Sequence, residues 1–297
     1  FYNASSTPAI IGGIVALATL YIILGGGKRI ASAMNKLVPV MGIFYTLVAI
    51  VCIILNAGKI PAMIGLVFKD AFNFKAIFGG WAGSCIMLGF KRGLYSNEAG
   101  VGSAPNAAAA NECSHPVKQG LVQMLSVYCD TLILCTATGL LCLSSGLNPI
   151  VDGSGLSGAA YARAAAEVSL GGVGPTIVVI ALVLFAFSTL CGNFFFIENC
   201  IAYINKKMPS KTSLIIIRVI GAVIIFIGAV QSAGTVWDLS DFMQAVMTVI
   251  NIPVCVVIGG VAYKALDNYV AQRKAGKNPV FKASDIGLDD KDLDYWH

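Results

Sequence analysis

Charged residues are scarce in this sequence. They make up 12% of its 297 residues, whereas 57% are hydrophobic and the mean hydropathy is +0.80. An ordinary soluble domain has about 25% charged residues. The low charge and high hydropathy therefore exclude a soluble domain and indicate an integral membrane protein. The net charge of +5 comes without a basic run interleaved with aromatic residues, so no nucleic-acid partner is expected.

Histidine is nearly absent, and the cysteines lack the spacing of a metal site. The chain has two histidines, His115 and His297, and nine cysteines without any C-x-x-C pair. This pattern excludes the usual zinc sites, and cysteines in apolar segments pack as small hydrophobic residues. A membrane enzyme would need a catalytic or metal constellation. We therefore expect no catalytic residue and no cofactor.

Long apolar runs dominate the rest of the chain. A helix needs about 20 residues to span a bilayer, and seven segments of roughly that length or longer can be marked, at 8–26, 38–57, 77–110, 117–146, 173–204, 213–231 and 240–264. Residues 1–265 are thus predicted to form a transmembrane domain, and residues 266–297 a polar, acidic and partly disordered tail. Lys and Arg favour the loops on the tail's side, which predicts a multi-pass protein of the cell (inner) membrane with a cytoplasmic tail.

The third segment is interrupted by polar residues and glycines, in the stretch GLYSNEAGVGSAPNAAAA at 93–110. Irregular backbone at membrane depth survives only inside protein or along a cavity. The glycines predict a helix that ends near Phe90, an unwound link, and a second half-helix from Ser103 to Ala110. The amides at the start of the second half suit a carboxylate, and the unwound carbonyls suit a cation. The alternative is a cytoplasmic loop over 91–98 followed by a surface helix.

Three stretches carry a resemblance to a known family. RGLYSNEAGVGSAP at 92–105, HPVKQGLVQMLSVYCDTLILCTATGL at 115–140 and LVLFAFSTLCGNFFFIEN at 182–199 resemble the alanine/glycine:cation symporters, in the same order along nearly the whole chain. The resemblance implies an all-α, leucine-transporter-type fold of two inverted repeats. The seven segments would be core helices four to ten, and core helices one to three of the same protein would be missing before Phe1.

The family also implies a function. Its members carry a small amino acid such as alanine or glycine together with sodium, or sometimes protons, by alternating access. The expected partners are the amino acid, sodium as the coupling ion, and the lipid bilayer.

The match implies roles for residues of the broken segment. Tyr95 stands where the family usually has Phe and would line the amino-acid pocket, although its ring could instead pack against a neighbouring helix. Asn97 would brace the link or contact the substrate, and Ser96 and Gly100 are assigned to substrate binding with it.

Two charged residues of this segment have several possible roles. Glu98 could bind the substrate ammonium, pair with Arg92 as a structural ion pair, or carry a proton. An ionisable residue at membrane depth is a functional candidate.

The fifth segment supplies the predicted ion ligands. Ser188 and Thr189 would give hydroxyl oxygens to sodium, or else each would donate to the backbone carbonyl four residues earlier. Asn193 stands where the family commonly has Trp and would make the pocket roomier and more polar. This substitution leaves open a transporter of the same architecture for a different solute. The other alternative is a non-transporting fragment that lacks half of the site.

Overall fold

The fold is helical throughout the part that can be described. The structure is a computed structural model that describes residues 6–71, 81–98, 100–148, 152–207, 209–290, 293, 295 and 296, and no strand occurs among them. The helices are α1 Thr7–Ile23, α2 Gly26–Leu55, α3 Ile60–Ala71, α4 Trp81–Ser96, α5 Ser103–Ala109, α6 Pro116–Tyr128, α7 Thr136–Ser144, α8 Gly158–Leu170, α9 Gly174–Asn205, α10 Lys211–Val230 and α11 Ala233–Lys274. A π-helix, Cys129–Cys135, joins α6 to α7, and short 3-10 turns lie at Ala57–Lys59, Gly171–Val173 and Ala283–Ile286.

Five helical stretches are long and apolar enough to cross a membrane, and α1 is a shorter apolar helix. The five are Arg29–Leu55, Pro116–Ser144, Gly158–Asn205, Lys211–Val230 and Ala233–Lys274. The prediction of an all-α membrane protein is therefore confirmed at this level. The count of seven segments and the inverted repeat stay predictions, and the start of the third predicted segment lies outside the described residues.

Several predicted boundaries were wrong. The second segment was expected from residue 38, but α2 begins at Gly26. The region 147–172 was left without a span, yet it contains α8. The last apolar segment was marked at 240–264, whereas α11 extends from Ala233 to Lys274, through Pro253. Apolar runs predict only the apolar part of a helix, so they miss turns of the same helix that continue into polar sequence.

Serine caps set the starts of α10 and α11. The Ser210 hydroxyl accepts a hydrogen bond from the backbone N–H of Ser213 at 3.2 Å, and the Ser232 hydroxyl accepts one from Thr235 at 3.2 Å. Each bond satisfies one of the amides that a helix leaves unpaired at its N-terminus.

The chain divides into two compact units. Unit 1 contains residues 1–92 and 129–231, and unit 2 contains residues 93–128 and 232–297.

Small residues allow close helix packing in unit 1. One buried cluster joins α2, α7, α8 and α9 through Ala49, Cys52, Ala137, Leu141, Ala162, Ala165, Ala166 and Val178. A methyl group added at Gly174 would lie 2.2 Å from the carbonyl oxygen of Ala166, so α8 and the start of α9 meet backbone to backbone. This packing is typical of membrane helices, whose association depends on close contact rather than on the hydrophobic effect.

In unit 2 the C-terminal tail packs against the connection between α5 and α6. The Phe281 N–H donates to the Ser114 carbonyl at 2.8 Å, and the Trp296 indole N–H donates to the Cys113 carbonyl at 2.9 Å. Phe281 is buried. Phe281 and Trp296 are thus packed, because aromatic side chains among the acidic ones cover this surface, while the expectation of a partly disordered tail stays a prediction. The boundary at residue 265 and the cytoplasmic location of the tail stay predictions.

His115 is fully buried beneath the tail. Its Nδ1 accepts the Val117 N–H at 3.2 Å, its Nε2 lies 3.3 Å from Asn268 Oδ1, and its ring contacts Tyr269 and Phe281 with centroids 5.1 Å apart in both pairs. This pattern requires the neutral imidazole, with the proton on Nε2. Burial lowers the pKa of His115, the hydrogen bond to Asn268 opposes that shift, and the charge of Lys118 adds to it.

We expect acid to loosen the tail. The pKa of docked His115 lies below the ordinary value of about 6.5, so docking is strongest above that value and weakens as the pH falls through it towards the lowered pKa. After correction for the intrinsic rate, hydrogen exchange of residues 278–283 should therefore become faster as the pH is lowered from about 7.5 to about 5. His115→Gln keeps a polar side chain that does not titrate and should lose this dependence. If hydrogen exchange depends on pH equally in the wild type and in His115→Gln, then His115 is not the group that loosens the tail in acid.

Candidate functional site

The broken helix is present, with its first half longer than predicted. Helix α4 continues to Ser96 instead of ending near Phe90, and α5 begins at Ser103 as expected and ends at Ala109. The link between them covers residues 97–102, of which Ala99 lies outside the described residues. Arg92, Tyr95 and Ser96 are therefore helical, and only Asn97, Glu98 and Gly100 of the predicted site residues belong to the link.

The link turns through three residues in the left-handed region. Glu98 has φ +49°, Gly100 +81° and Gly102 +94°. Glycine adopts such angles without strain, whereas a residue with a side chain is rarely found there. The backbone bonds that remain are single turns, with the Val101 N–H donating to the Glu98 carbonyl at 3.2 Å. Two of the glycines that predicted unwinding, Gly100 and Gly102, thus adopt the left-handed turns of the link.

Glu98 is bound within the link. The Ser103 hydroxyl donates a hydrogen bond to Glu98 Oε2, so the carboxylate joins the link to the first residue of α5. Glu98 is exposed, as is Arg92 on α4. The alternatives for Glu98, including its pairing with Arg92, stay predictions.

The Tyr95 side chain packs on α11. Its ring centroid lies 5.4 Å from that of Trp237, and its hydroxyl lies 3.2 Å from the Ser240 hydroxyl. The phenolic oxygen therefore has the polar partner that a membrane position requires. The ring does pack against a neighbouring helix, and its role as a wall of the amino-acid pocket stays a prediction.

The proposed sodium ligands lie on α9 in unit 1. The Ser188 and Thr189 hydroxyls both donate to the Phe185 carbonyl, each at 2.9 Å. Thr189 thus makes the alternative bond predicted from sequence, to the carbonyl four residues earlier, whereas Ser188 donates to the carbonyl three residues earlier. A hydroxyl that donates its proton keeps two lone pairs, so both oxygens can still accept a cation.

Asn193 shares a face of α9 with Thr189. Both are exposed, whereas Ser188 lies on the buried side. Residues four apart on a helix point the same way. Thr189 and Asn193 therefore share one face of α9 in unit 1, with Ser188 on the buried side of the same helix. The other predicted substrate residues, Tyr95, Ser96, Asn97 and Gly100, follow one another closely along the chain in unit 2 with Glu98.

A buried ion pair was missed in the sequence. Arg218 on α10 meets Glu198 on α9, with Nε donating to Oε1 at 2.8 Å and Nη2 lying 2.7 Å from the same oxygen. Arg218 Nη1 donates to the Leu24 carbonyl beyond the end of α1 at 3.4 Å. Both residues are buried. One acid and one base inside adjacent predicted spans were the available signal, because such charges pair when they lie in a membrane.

Comparison with known proteins gives the family. The sodium:alanine symporter family matches residues 2–283. "Amino-acid carrier protein AlsT" of Bacillus subtilis (strain 168) is 39% identical over 97% of this chain and 60% of that protein. The "Sodium/proton-dependent alanine carrier protein" of Bacillus sp. (strain PS3) is 38% identical over 100% of this chain and 69% of that protein. "Probable sodium/glutamine symporter GlnT" of Bacillus subtilis (strain 168) is 38% identical over 95% of the chain and 58% of the relative.

The family match confirms the resemblance that the three motifs indicated. The chain spans between 58% and 69% of the length of these three relatives. Their family consists of transporters rather than enzymes, as expected from the sequence. With its long apolar helices, the molecule is a multi-pass membrane protein. The chain belongs to the sodium:alanine symporter family.

Proposed function

We propose that this chain provides part or all of the transport path for sodium-coupled symport of a small amino acid, alanine or glycine, by alternating access. The observation that carries the proposal is the link at 97–102, where a helix stops and restarts inside the sequence that matches the family. In membrane transporters, an unwound link of this kind is where backbone groups bind the substrate and the coupling ion.

The residues have distinct parts in this proposal. Asn97, Ser96 and Gly100 bind the amino acid at the link, and Tyr95 forms a wall of the pocket. Glu98 attracts the substrate ammonium and is held in place by its bond to Ser103.

The ion site lies on α9. Ser188 and Thr189 supply hydroxyl oxygens to sodium, because their bonds to the Phe185 carbonyl leave the lone pairs available. In a leucine-transporter-type inverted repeat these oxygens would face the first core helix.

The same proposal includes an orientation. Arg273 and Lys274 occupy the last turn of α11, and further lysines follow in the tail. Basic residues favour the cytoplasmic side, so we place the tail in the cytoplasm and the chain in the cell (inner) membrane.

A second candidate is a transporter of the same architecture for a larger or more polar solute. Asn193 favours it, because this exposed amide shares the face of Thr189 and replaces the bulky Trp that the family commonly has. The relative named as a sodium/glutamine symporter is consistent with substrates beyond alanine and glycine within the family.

Uptake into proteoliposomes tests both candidates. With the transport-competent protein that contains this chain, an inward sodium gradient should drive labelled alanine uptake well above the level with potassium. Unlabelled glycine should compete under the first proposal, whereas glutamine should compete more strongly under the second. Uptake that is equal with and without the sodium gradient would contradict the coupling ion, and no uptake of any of the three amino acids would contradict the proposal.

A further inference from the structure

Asn251, a residue of α11, forms a hydrogen bond with the link of the broken helix. Asn251 Nδ2 donates a hydrogen bond to the Gly100 carbonyl oxygen at 3.0 Å. Asn251 is half-buried, and the bond joins residues 151 positions apart within unit 2. A carbonyl without a helical partner is costly in a membrane. The amide therefore replaces the hydrogen bond that Gly100 loses where the helix is unwound.

The two left-handed glycines of the link fit closely around the same part of α11. A methyl group added at Gly102 would lie 2.9 Å from Asn251 Cγ and 3.0 Å from Oδ1, and one added at Gly100 would lie 2.9 Å from Ile252 Cγ1. Side chains of α11 thus occupy the space that the missing Cβ atoms leave. The link and α11 are complementary in shape as well as in hydrogen bonding.

A bond within the link complements the one from α11. The Ser103 hydroxyl donates to Glu98 across the link, while Asn251 holds the link from outside. The two bonds restrict the left-handed turns at Glu98, Gly100 and Gly102.

We propose that Asn251 is a positioning residue for the transport site, a role that rests on the proposed function. It keeps the link in the backbone conformation that binds the amino acid, by holding the Gly100 carbonyl and filling the space beside Gly102. Asn251 acts through the link and need not touch the substrate. When only a fraction of the molecules has the competent link, the apparent substrate affinity falls by that fraction. Loss of Asn251 should therefore raise KM more than it lowers the maximal rate.

The size of the effect follows from the strength of one hydrogen bond between membrane helices. Replacing Asn251 by leucine removes the donor at similar volume and should raise the KM for alanine about three- to twentyfold. Hydrogen exchange of the amides at 97–103 should increase in the same variant. A merely structural residue would lower the amount of folded protein and leave the KM of the remaining molecules unchanged.

Asn251→Asp is the decisive variant, because it keeps the shape and makes the donor titratable. A protonated carboxyl can donate to the Gly100 carbonyl, whereas a carboxylate cannot and repels it. The ratio of the variant's KM to the wild-type KM should therefore fall towards 1 as the pH is lowered. Glu98, Tyr95 and Cys255, whose Sγ lies 3.5 Å from Asn251 Nδ2, are the same in both proteins, which is why the ratio of the two KM values is compared rather than the KM itself.

The outcomes separate this inference from the proposed function. A KM ratio that does not change with pH, or an unchanged KM in Asn251→Leu, would overturn the positioning role. If the wild-type protein transports none of the tested amino acids, the proposed function fails, and hydrogen exchange of the link still decides the inference. Two results would then support the hydrogen bond from Asn251 to the link. Exchange at 97–103 should be faster in Asn251→Leu than in wild type, and in Asn251→Asp it should become slower, relative to wild type, as the pH is lowered. Unchanged exchange would overturn it.

Discussion

Glu198→Leu is expected to destabilise the protein by about 3–5 kcal/mol, the usual cost of removing one partner from a buried ion pair. The variant leaves the Arg218 guanidinium buried, and arginine cannot neutralise itself by losing a proton. Arg218→Met should be milder, because the remaining Glu198 carboxylate can take up a proton. The free energy of unfolding in detergent measures both effects.

The double variant separates pairing from packing. Glu198→Leu with Arg218→Met replaces the pair by apolar residues of similar size, so most of the stability should return. Arg163 and Glu167 on α8 are exposed and serve as controls. Arg163→Met and Glu167→Leu should each change the free energy of unfolding by no more than about 0.5 kcal/mol. A double variant that is as unstable as the sum of the single ones would show that the two residues contribute independently.

Thr189→Val is expected to raise the sodium concentration for half-maximal uptake by about tenfold. A hydrogen-bond-sized interaction with a charge contributes about 1.5–3 kcal/mol, and tenfold corresponds to about 1.4 kcal/mol. Valine keeps the shape of threonine and removes the oxygen. At saturating sodium the apparent affinity for alanine should largely recover, because the amino acid and the ion are coupled through one equilibrium.

Thr46 on α2 is a matched control for this experiment. Its hydroxyl donates to the Gly42 carbonyl at 2.7 Å, the same kind of bond that Thr189 makes to Phe185. Thr46→Val removes such a bond away from the proposed ion site and should leave the sodium dependence unchanged. If the two variants behave alike, the Thr189 hydroxyl has only a structural role and the ion binds elsewhere.

The composition and the glycine pattern by themselves determined much of this protein. Scarce charge and long apolar runs indicated a membrane protein, because a bilayer excludes unpaired charge over about 20 residues. The glycines at 100 and 102 and Pro105 indicated where a helix stops and restarts. The restart at Ser103 was predicted correctly, since glycine and proline act on the local backbone. The three motifs were sufficient to indicate the family.

Only the tertiary structure decided which distant residues meet. Two opposite charges in adjacent predicted spans made a pair between Glu198 and Arg218 possible, but only the packing of α9 on α10 shows that they meet. Nothing near Gly100 in sequence indicates Asn251, because this partner lies on another helix. The end of α4 at Ser96 and the π-helix at Cys129–Cys135 also escaped prediction. Local propensity cannot register them, since a helix in a protein continues wherever neighbouring helices and its own hydrogen bonds support it.

The tail shows the same division most clearly. Its acidic composition favoured a disordered segment by sequence, yet Phe281 and Trp296 pack against each other with centroids 5.6 Å apart, and Phe281 also packs on His115. Aromatic side chains can hold a charged segment in place when a surface is present to bury them, and the charged Lys282, Asp285 and Asp289 are exposed. That surface is formed by the connection between α5 and α6 and by α11, so it exists only once the chain has folded.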